Sequence, residues 1–174
     1  LETEEKNRAL FAAADAIERR KEEIEEANRR DVKRAEEEDL AAPLLKRLKL
    51  QGEKIDQVVR GVRSVAGLED PVGRILEARR LDEGLELYRE SCPIGIFESR
   101  PDALVQMSAL TLKSGNAVLL KGGSEAAETN RLLTEIIEDA TTEGELSLPK
   151  GWLSLVENRE EVGTMLSLSD DRDR

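Results

Sequence analysis

The sequence predicts an α/β chain in which N-terminal helices and a β-hairpin lead into a partial, doubly wound parallel sheet. Three observations carry this reading. Apolar residues recur at helical spacing through the first 66 positions. Around Asp82-Glu83-Gly84 the pattern changes to short β-type runs flanking a turn. From residue 93 onward, short apolar runs alternate with helical stretches, which is the signature of βαβ units and of a parallel sheet.

The opening third is helical, with Leu10, Phe11, Ala14, Ile17, Ile24 and Ala27 at helical spacing and Glu and Arg elsewhere. Its charges sit three or four apart, as in Glu18 with Lys21, and Glu22 and Glu26 followed by Arg29 and Arg30, which suits a solvated face. A coiled-coil arm is the other reading, weakened because the apolar seam dies out at Glu36, Glu37 and Glu38. Pro43 starts a short helical turn over 44–48. A further helix is expected over 53–66, with Ile55, Val58, Val59, Val62 and Val65 on one face and Gly67 and Pro71 closing it. Ile75 and Leu76, and Leu85, Leu87 and Tyr88, form the two arms of the hairpin. There follow a strand over 93–97, a helix over 103–113, a strand over 117–120, a helix over 126–140, a strand over 153–156 and a helix over 160–168. The expected organisation is a helical segment (1–73), a hairpin element (74–92) and a partial nucleotide-binding domain (93–174).

Composition narrows the function classes. The 174 residues are 39% hydrophobic and 37% charged but only 2% aromatic, so the core must be aliphatic. A net charge of -11 argues against a nucleic-acid partner and against an anionic membrane surface. It leaves a nucleotide open, since one lysine and a helix N-terminus can hold a phosphate locally. No apolar run approaches the roughly 18 residues a membrane helix requires, and a soluble cytoplasmic protein is expected. With no histidine, Ser-His and Cys-His nucleophile pairs and His-ligated metals are excluded within these residues. Cys92 is the single cysteine. It precedes Pro93 at the entry of a strand, the wrong end for a crevice, and reads as a small structural thiol.

Two segments fall at strand ends, where doubly wound sheets bind ligands. In Lys113-Ser114-Gly115-Asn116-Ala117-Val118-Leu119-Leu120-Lys121-Gly122-Gly123-Ser124-Glu125-Ala126, an apolar strand delivers Lys121 at its tip. Two glycines then permit close backbone approach, and Ser124 is placed to cap the next helix. The segment reads equally as an anion site for a phosphate or ribose hydroxyl and as an ordinary strand–turn–helix junction. It is neither a GxGxxG fingerprint nor a P-loop. In Phe97-Glu98-Ser99-Arg100-Pro101-Asp102, Pro101 keeps Arg100 out of helix and Asp102 is a candidate N-cap. The alternative there is a capped loop with a Glu98–Arg100 surface pair.

These two segments resemble the signature of glutamyl-phosphate reductases, members of the aldehyde dehydrogenase superfamily. The resemblance extends through Ala27-Asn28-Arg29-Arg30-Asp31, Leu44-Leu45-Lys46-Arg47-Leu48, Asp70-Pro71-Val72-Gly73-Arg74 and Thr129-Asn130-Arg131, in order along nearly the whole chain. It implies a Rossmann-like sheet of the aldehyde dehydrogenase type and NADPH-dependent reduction of L-glutamyl 5-phosphate to L-glutamate 5-semialdehyde, a step of proline biosynthesis. It implies that Lys121, Gly122, Gly123, Ser124 and Glu125 hold the NADP(H) adenosine ribose. Ser124 stands where NAD-using members of the superfamily place a ribose-binding glutamate, and its neutrality beside Lys121 favours the 2′-phosphate of NADP. Ser99 matches the superfamily's oxyanion-steadying asparagine, and Arg100 is a candidate for an anionic substrate group.

Three departures qualify these expectations. Ile94-Gly95-Ile96 runs straight into Phe97, a shorter apolar run than the family's. Residues 169–174 are polar where the family continues into an apolar strand, and the family's catalytic cysteine lies in the domain that would follow. No reductase activity is therefore expected of these residues alone. The competing expectation is a non-catalytic role, either through homo-oligomerisation by the hairpin or by pairing with an intact reductase or a glutamate kinase. A decayed paralogue without a selected function is the third reading.

Overall fold

A computed structural model describes residues 1–73, 75–82, 85–90, 100–143 and 148–157, with the backbone alone in 75–82 and 85–90. The helical first third is two helices, α1 (Thr3–Arg19) and α2 (Lys21–Glu37), broken at Arg20. The hydrogen bonds Arg20 N to Ala16 O and Ile24 N to Arg20 O run through the break, so the chain bends without leaving helical connectivity. The bend redirects the charges. Glu18 and Lys21, expected to pair with each other, both cross to α4 (Glu53–Ala66): Glu18 meets Arg63 at 2.7 Å and Lys21 meets Asp56 at 2.5 Å. Glu26 does pair within its helix, with Arg29 and Arg30.

The short α3 (Ala42–Leu48) begins around Pro43, and α4 buries Ile55, Val58, Val59 and Val62 as its sequence period requires. Strands β1 (Ile75–Asp82) and β2 (Leu85–Glu90) form the antiparallel hairpin, with Ala78 opposite Tyr88 and Asp82 opposite Leu85. The turn residues 83 and 84, the strand expected at 93–97 and the helix expected at 160–168 lie outside the described residues. Helix α5 (Pro101–Lys113) leads through a tight turn into β3 (Val118–Lys121). Gly115 supplies the positive φ of +71° that this turn requires. A 3₁₀ turn (Ser124–Ala126), α6 (Ala127–Thr142) and β4 (Leu153–Val156) complete a parallel βαβ unit, with Val118 opposite Leu153 and Lys121 opposite Val156.

One buried cluster joins α1, α4, α5, α6 and both parallel strands, through Leu10, Ile17, Val62, Leu104, Leu120, Ile136 and Leu153. It is aliphatic except for Trp152, whose indole NH donates to Thr141 Oγ1 at 2.9 Å. Phe11, expected on the buried seam, is 46% exposed. Leu119 is 55% exposed on β3, so the described helices cover one face of the sheet. Among the described residues, no helix is long and apolar enough to cross a membrane.

Two buried lysines tie the segments together. Lys113 is nearly inaccessible and donates to Asn7 Oδ1 at 2.6 Å and to Ala66 O at 3.0 Å, placing its charge on the carbonyl end of α4. Lys6, 2% exposed, pairs with Asp70. Asp70 also accepts from Thr3 Oγ1 at 2.6 Å and from Val72 N at 3.0 Å, which pins the segment leaving α4.

Candidate functional site

Lys121 ends β3 with its side chain exposed, and its ammonium donates to Gly122 O at 2.5 Å. Gly122 is buried for a local reason. A Cβ there would lie 2.3 Å from Asn130 Nδ2, so the amide of Asn130 occupies the space any side chain would need. Asn130 is 2% exposed and its Oδ1 has no hydrogen-bond partner. At Gly123 a Cβ would meet the Glu125 carboxylate at 2.2 Å, the movable end of a half-buried side chain. Ser124 is exposed and opens the 3₁₀ turn.

Ser124 does not cap the following helix, contrary to expectation. Asp31, fully buried on α2, takes that position. Its carboxylate accepts from Thr129 N at 2.8 Å, Thr129 Oγ1 at 2.7 Å and Glu128 N at 3.2 Å, and it pairs with Arg34. A carboxylate at the positive end of α6, accepting two backbone amides and a hydroxyl, outcompetes a serine hydroxyl in the exposed turn. Asn28 extends the same network: its amide donates to Leu48 O at 2.9 Å and to Thr129 Oγ1 at 3.3 Å, and its Oδ1 accepts from Leu50 N at 2.8 Å. Arg30 and Arg34 reach Glu128 at 2.6 and 3.2 Å. The Arg30 guanidinium, ahead of all other influences, holds the Glu128 carboxyl below the usual range. The loop 121–126 is therefore fixed from behind by α2, and the first-turn amides of α6 are already engaged by a negative charge. What the turn leaves toward solvent is the Lys121 side chain, the partly exposed Gly123 and Ser124, with the Arg34 guanidinium 3.5 Å from Ser124 O.

No family model matches the chain. The gamma-glutamyl phosphate reductase of Ruminiclostridium cellulolyticum is 56% identical over 172 residues, covering 97% of this chain and 39% of the relative. That of Natronomonas pharaonis is 53% identical over 172 residues, covering 94% and 38%. Among solved structures, the gamma-glutamyl phosphate reductase of Saccharomyces cerevisiae is similar with a TM-score of 0.82 at 42% identity, covering 91% of this chain and 42% of that one. The Thermotoga maritima enzyme gives a TM-score of 0.82 at 37% identity, covering 95% and 41%. This chain is homologous to the gamma-glutamyl phosphate reductases. It matches the N-terminal 40% or so of their length, and its structural neighbours have the aldehyde dehydrogenase fold.

Arg100 and Asp102, also singled out in the sequence, lie apart from the Lys121 loop. Ser99, Glu98 and Cys92 are outside the described residues. Arg100 is the N-cap position of α5, in extended conformation before Pro101, as the proline demands. Asp102 sits inside the first turn and makes no cap, because the helix starts at Pro101. Its carboxylate stands 3.6 Å from Arg100 instead, with Oδ1 buried and lacking a hydrogen-bond partner. Arg100 and Asp102 line an open cavity of about 530 Å³ that includes none of residues 121–125. The reductase-like sequence thus carries two separate surfaces, one at the β3 tip and one at the start of α5. Asn28 and Asp31 were missed as site-supporting residues. Their signal was register: Ile24, Ala27, Asn28, Asp31, Val32 and Ala35 share one buried helical stripe, and polar residues on such a stripe require partners.

Proposed function

We propose that these residues form the cofactor-side part of an NADPH-dependent reductase that converts L-glutamyl 5-phosphate to L-glutamate 5-semialdehyde and phosphate. The observation that carries the reading is Lys121, exposed at the tip of a parallel strand and followed by a glycine pair of which Gly123 is partly exposed. The relatives, gamma-glutamyl phosphate reductases, support the same reaction class. NADPH supplies a hydride when bound. On this chain, Lys121 neutralises the adenosine 2′-phosphate and Ser124 offers a hydroxyl without adding negative charge. With the N-terminus of α6 engaged by Asp31 and Arg34 committed to Asp31 and Glu128, the lysine is the main anion contact, and preference for NADPH over NADH rests chiefly on it. Glu125, half-buried against Gly123, shapes the loop. The β1–β2 hairpin, which pairs with no other described strand, is the element through which copies would associate.

The test is titration of NADPH and NADH against the chain and its Lys121→Ala variant. Loss of one charge-assisted contact predicts a roughly tenfold to hundredfold weakening for NADPH and a smaller one for NADH. Equal NADPH affinity in the two proteins would sink the assignment.

A further inference from the structure

Asn130 packs against the turn that follows Lys121, and its side chain is one that stability alone does not call for. It is 2% exposed, yet its Oδ1 has no hydrogen-bond partner. A buried acceptor left unmet is a cost that an apolar side chain of the same outline would avoid. The residue is firmly placed. Thr129 before it donates its backbone amide and its hydroxyl to Asp31, and the Asn130 carbonyl accepts from Thr134 Oγ1 at 2.8 Å. From this post the amide fills the space beside the Gly122 Cα: a Cβ built on Gly122 would overlap Nδ2 and lie 3.3 Å from Cγ. Gly122 in turn offers its carbonyl to the Lys121 ammonium at 2.5 Å. One chain of contacts therefore runs from α6 through the amide and a buried glycine to the exposed cation.

We infer that Asn130 is a positioning residue for nucleotide recognition: its amide is the spacer that sets where the Gly122 carbonyl, and with it the Lys121 ammonium, stands. The inference rests on the proposed cofactor reading for the ligand, and on the packing of Asn130 against Gly122 for the mechanism. Two features fit a spacer better than a mere filler of the core. Gly122 is not among the glycines of positive φ, so the missing side chain there makes room for the amide and does not serve the backbone. And a lysine carries its charge on a flexible four-carbon stem, so an ammonium that is to meet a phosphate at one place has to be held by something near it. The carbonyl of the next residue does this, and that carbonyl is only as fixed as the residue that carries it. With the amide gone, the turn is free to sink toward α6 and the ammonium moves with it.

Three variants test this. Asn130→Ala removes the spacer, Asn130→Leu keeps its outline without polar atoms, and Lys121→Ala is the reference. NADPH and NADH would be titrated into the same samples of each chain, and the ratio of the two dissociation constants compared, since a ratio cancels any unfolded fraction. Asn130→Ala should lower the preference for NADPH by roughly threefold to tenfold, and Asn130→Leu should restore most of it. The contact itself is read without nucleotide. The fall in Tm caused by Gly122→Ala should be largely relieved in the Asn130→Ala background, because the two substitutions exchange one volume for another. An undiminished fall there overturns the inference. So does a ratio that collapses in Lys121→Ala but holds in Asn130→Ala, and that result leaves the cofactor reading standing. A ratio indifferent to Lys121→Ala defeats the cofactor reading and the nucleotide role of Asn130 together.

Discussion

Replacing Asp31 tests whether the Lys121 loop is held from behind as described. Asp31→Ala withdraws the acceptor from Thr129 N, Thr129 Oγ1 and Glu128 N at one stroke. Loss of a helix cap alone costs about 1 kcal/mol. The buried Thr129 donors, deprived of a charged acceptor, add about 1–3 kcal/mol of desolvation. Arg34 is 36% exposed and keeps Glu128, so it contributes little. The total, about 2–4 kcal/mol, overlaps the about 3–5 kcal/mol usual for removing one partner of a buried charged pair. Asp31→Asn keeps the shape and one acceptor oxygen, so about half that loss is expected. Urea denaturation followed by Trp152 fluorescence would read both as shifts of the midpoint at constant slope. A double-mutant cycle with Thr129→Val should give a coupling of about 1–2 kcal/mol. A loss below about 1 kcal/mol for Asp31→Ala, with no coupling, would refute the reasoning.

Two further outcomes follow from the geometry. Gly122→Ala should lower stability by about 1–3 kcal/mol and weaken NADPH binding, because the new Cβ meets the buried Asn130 amide, whereas Gly123→Ala meets only the movable Glu125 carboxylate; equal effects would contradict this. Burial opposes ionisation of Asp70, but the hydrogen bonds from Lys6, Thr3 and the Val72 amide, with the Lys6 charge, outweigh it and hold its carboxyl well below the usual range. A depressed folded-state pKa stabilises above the unfolded value, roughly 3.9, and the benefit drains as pH falls through the folded value. The Tm difference between wild type and Asp70→Asn should therefore be flat from about pH 5 to 8 and shrink below about pH 4, and a difference that grew on acidification would exclude this role.

What the sequence made legible depended on how local the cause was. The face of α4 could be read because Ile55, Val58, Val59 and Val62 follow one period within one helix. The strand-tip position of Lys121 could be read because strand, glycine turn and helix are consecutive. The capping of α6 could not, since Asp31 lies 98 residues from Thr129 and competed with a serine only three residues ahead of the helix. The same holds for the charges of α1, which the bend at Arg20 sends to α4. The cavity lined by Arg100 and Asp102 gathers side chains from 43–61 and 100–106, and no local pattern in either stretch announces the other.

Several residues that give this chain its likeness to the reductases are therefore fasteners. Asn28, Asp31, Asp70, Lys113 and Thr129 spend their polar groups on backbone and on neighbouring side chains of this chain. This matters for the cofactor reading. A helix N-terminus free of internal partners would bind any phosphate and would not distinguish one nucleotide from another. With Asp31 at the first turn of α6, those amides already face a carboxylate, itself paired with Arg34, and on the proposed reading Lys121 is the exposed side chain at the strand tip that would meet an incoming anion. On the proposed cofactor reading, the fastener that fixes the loop would also make recognition rest largely on Lys121, and nucleotide preference would then be a property a single substitution can move.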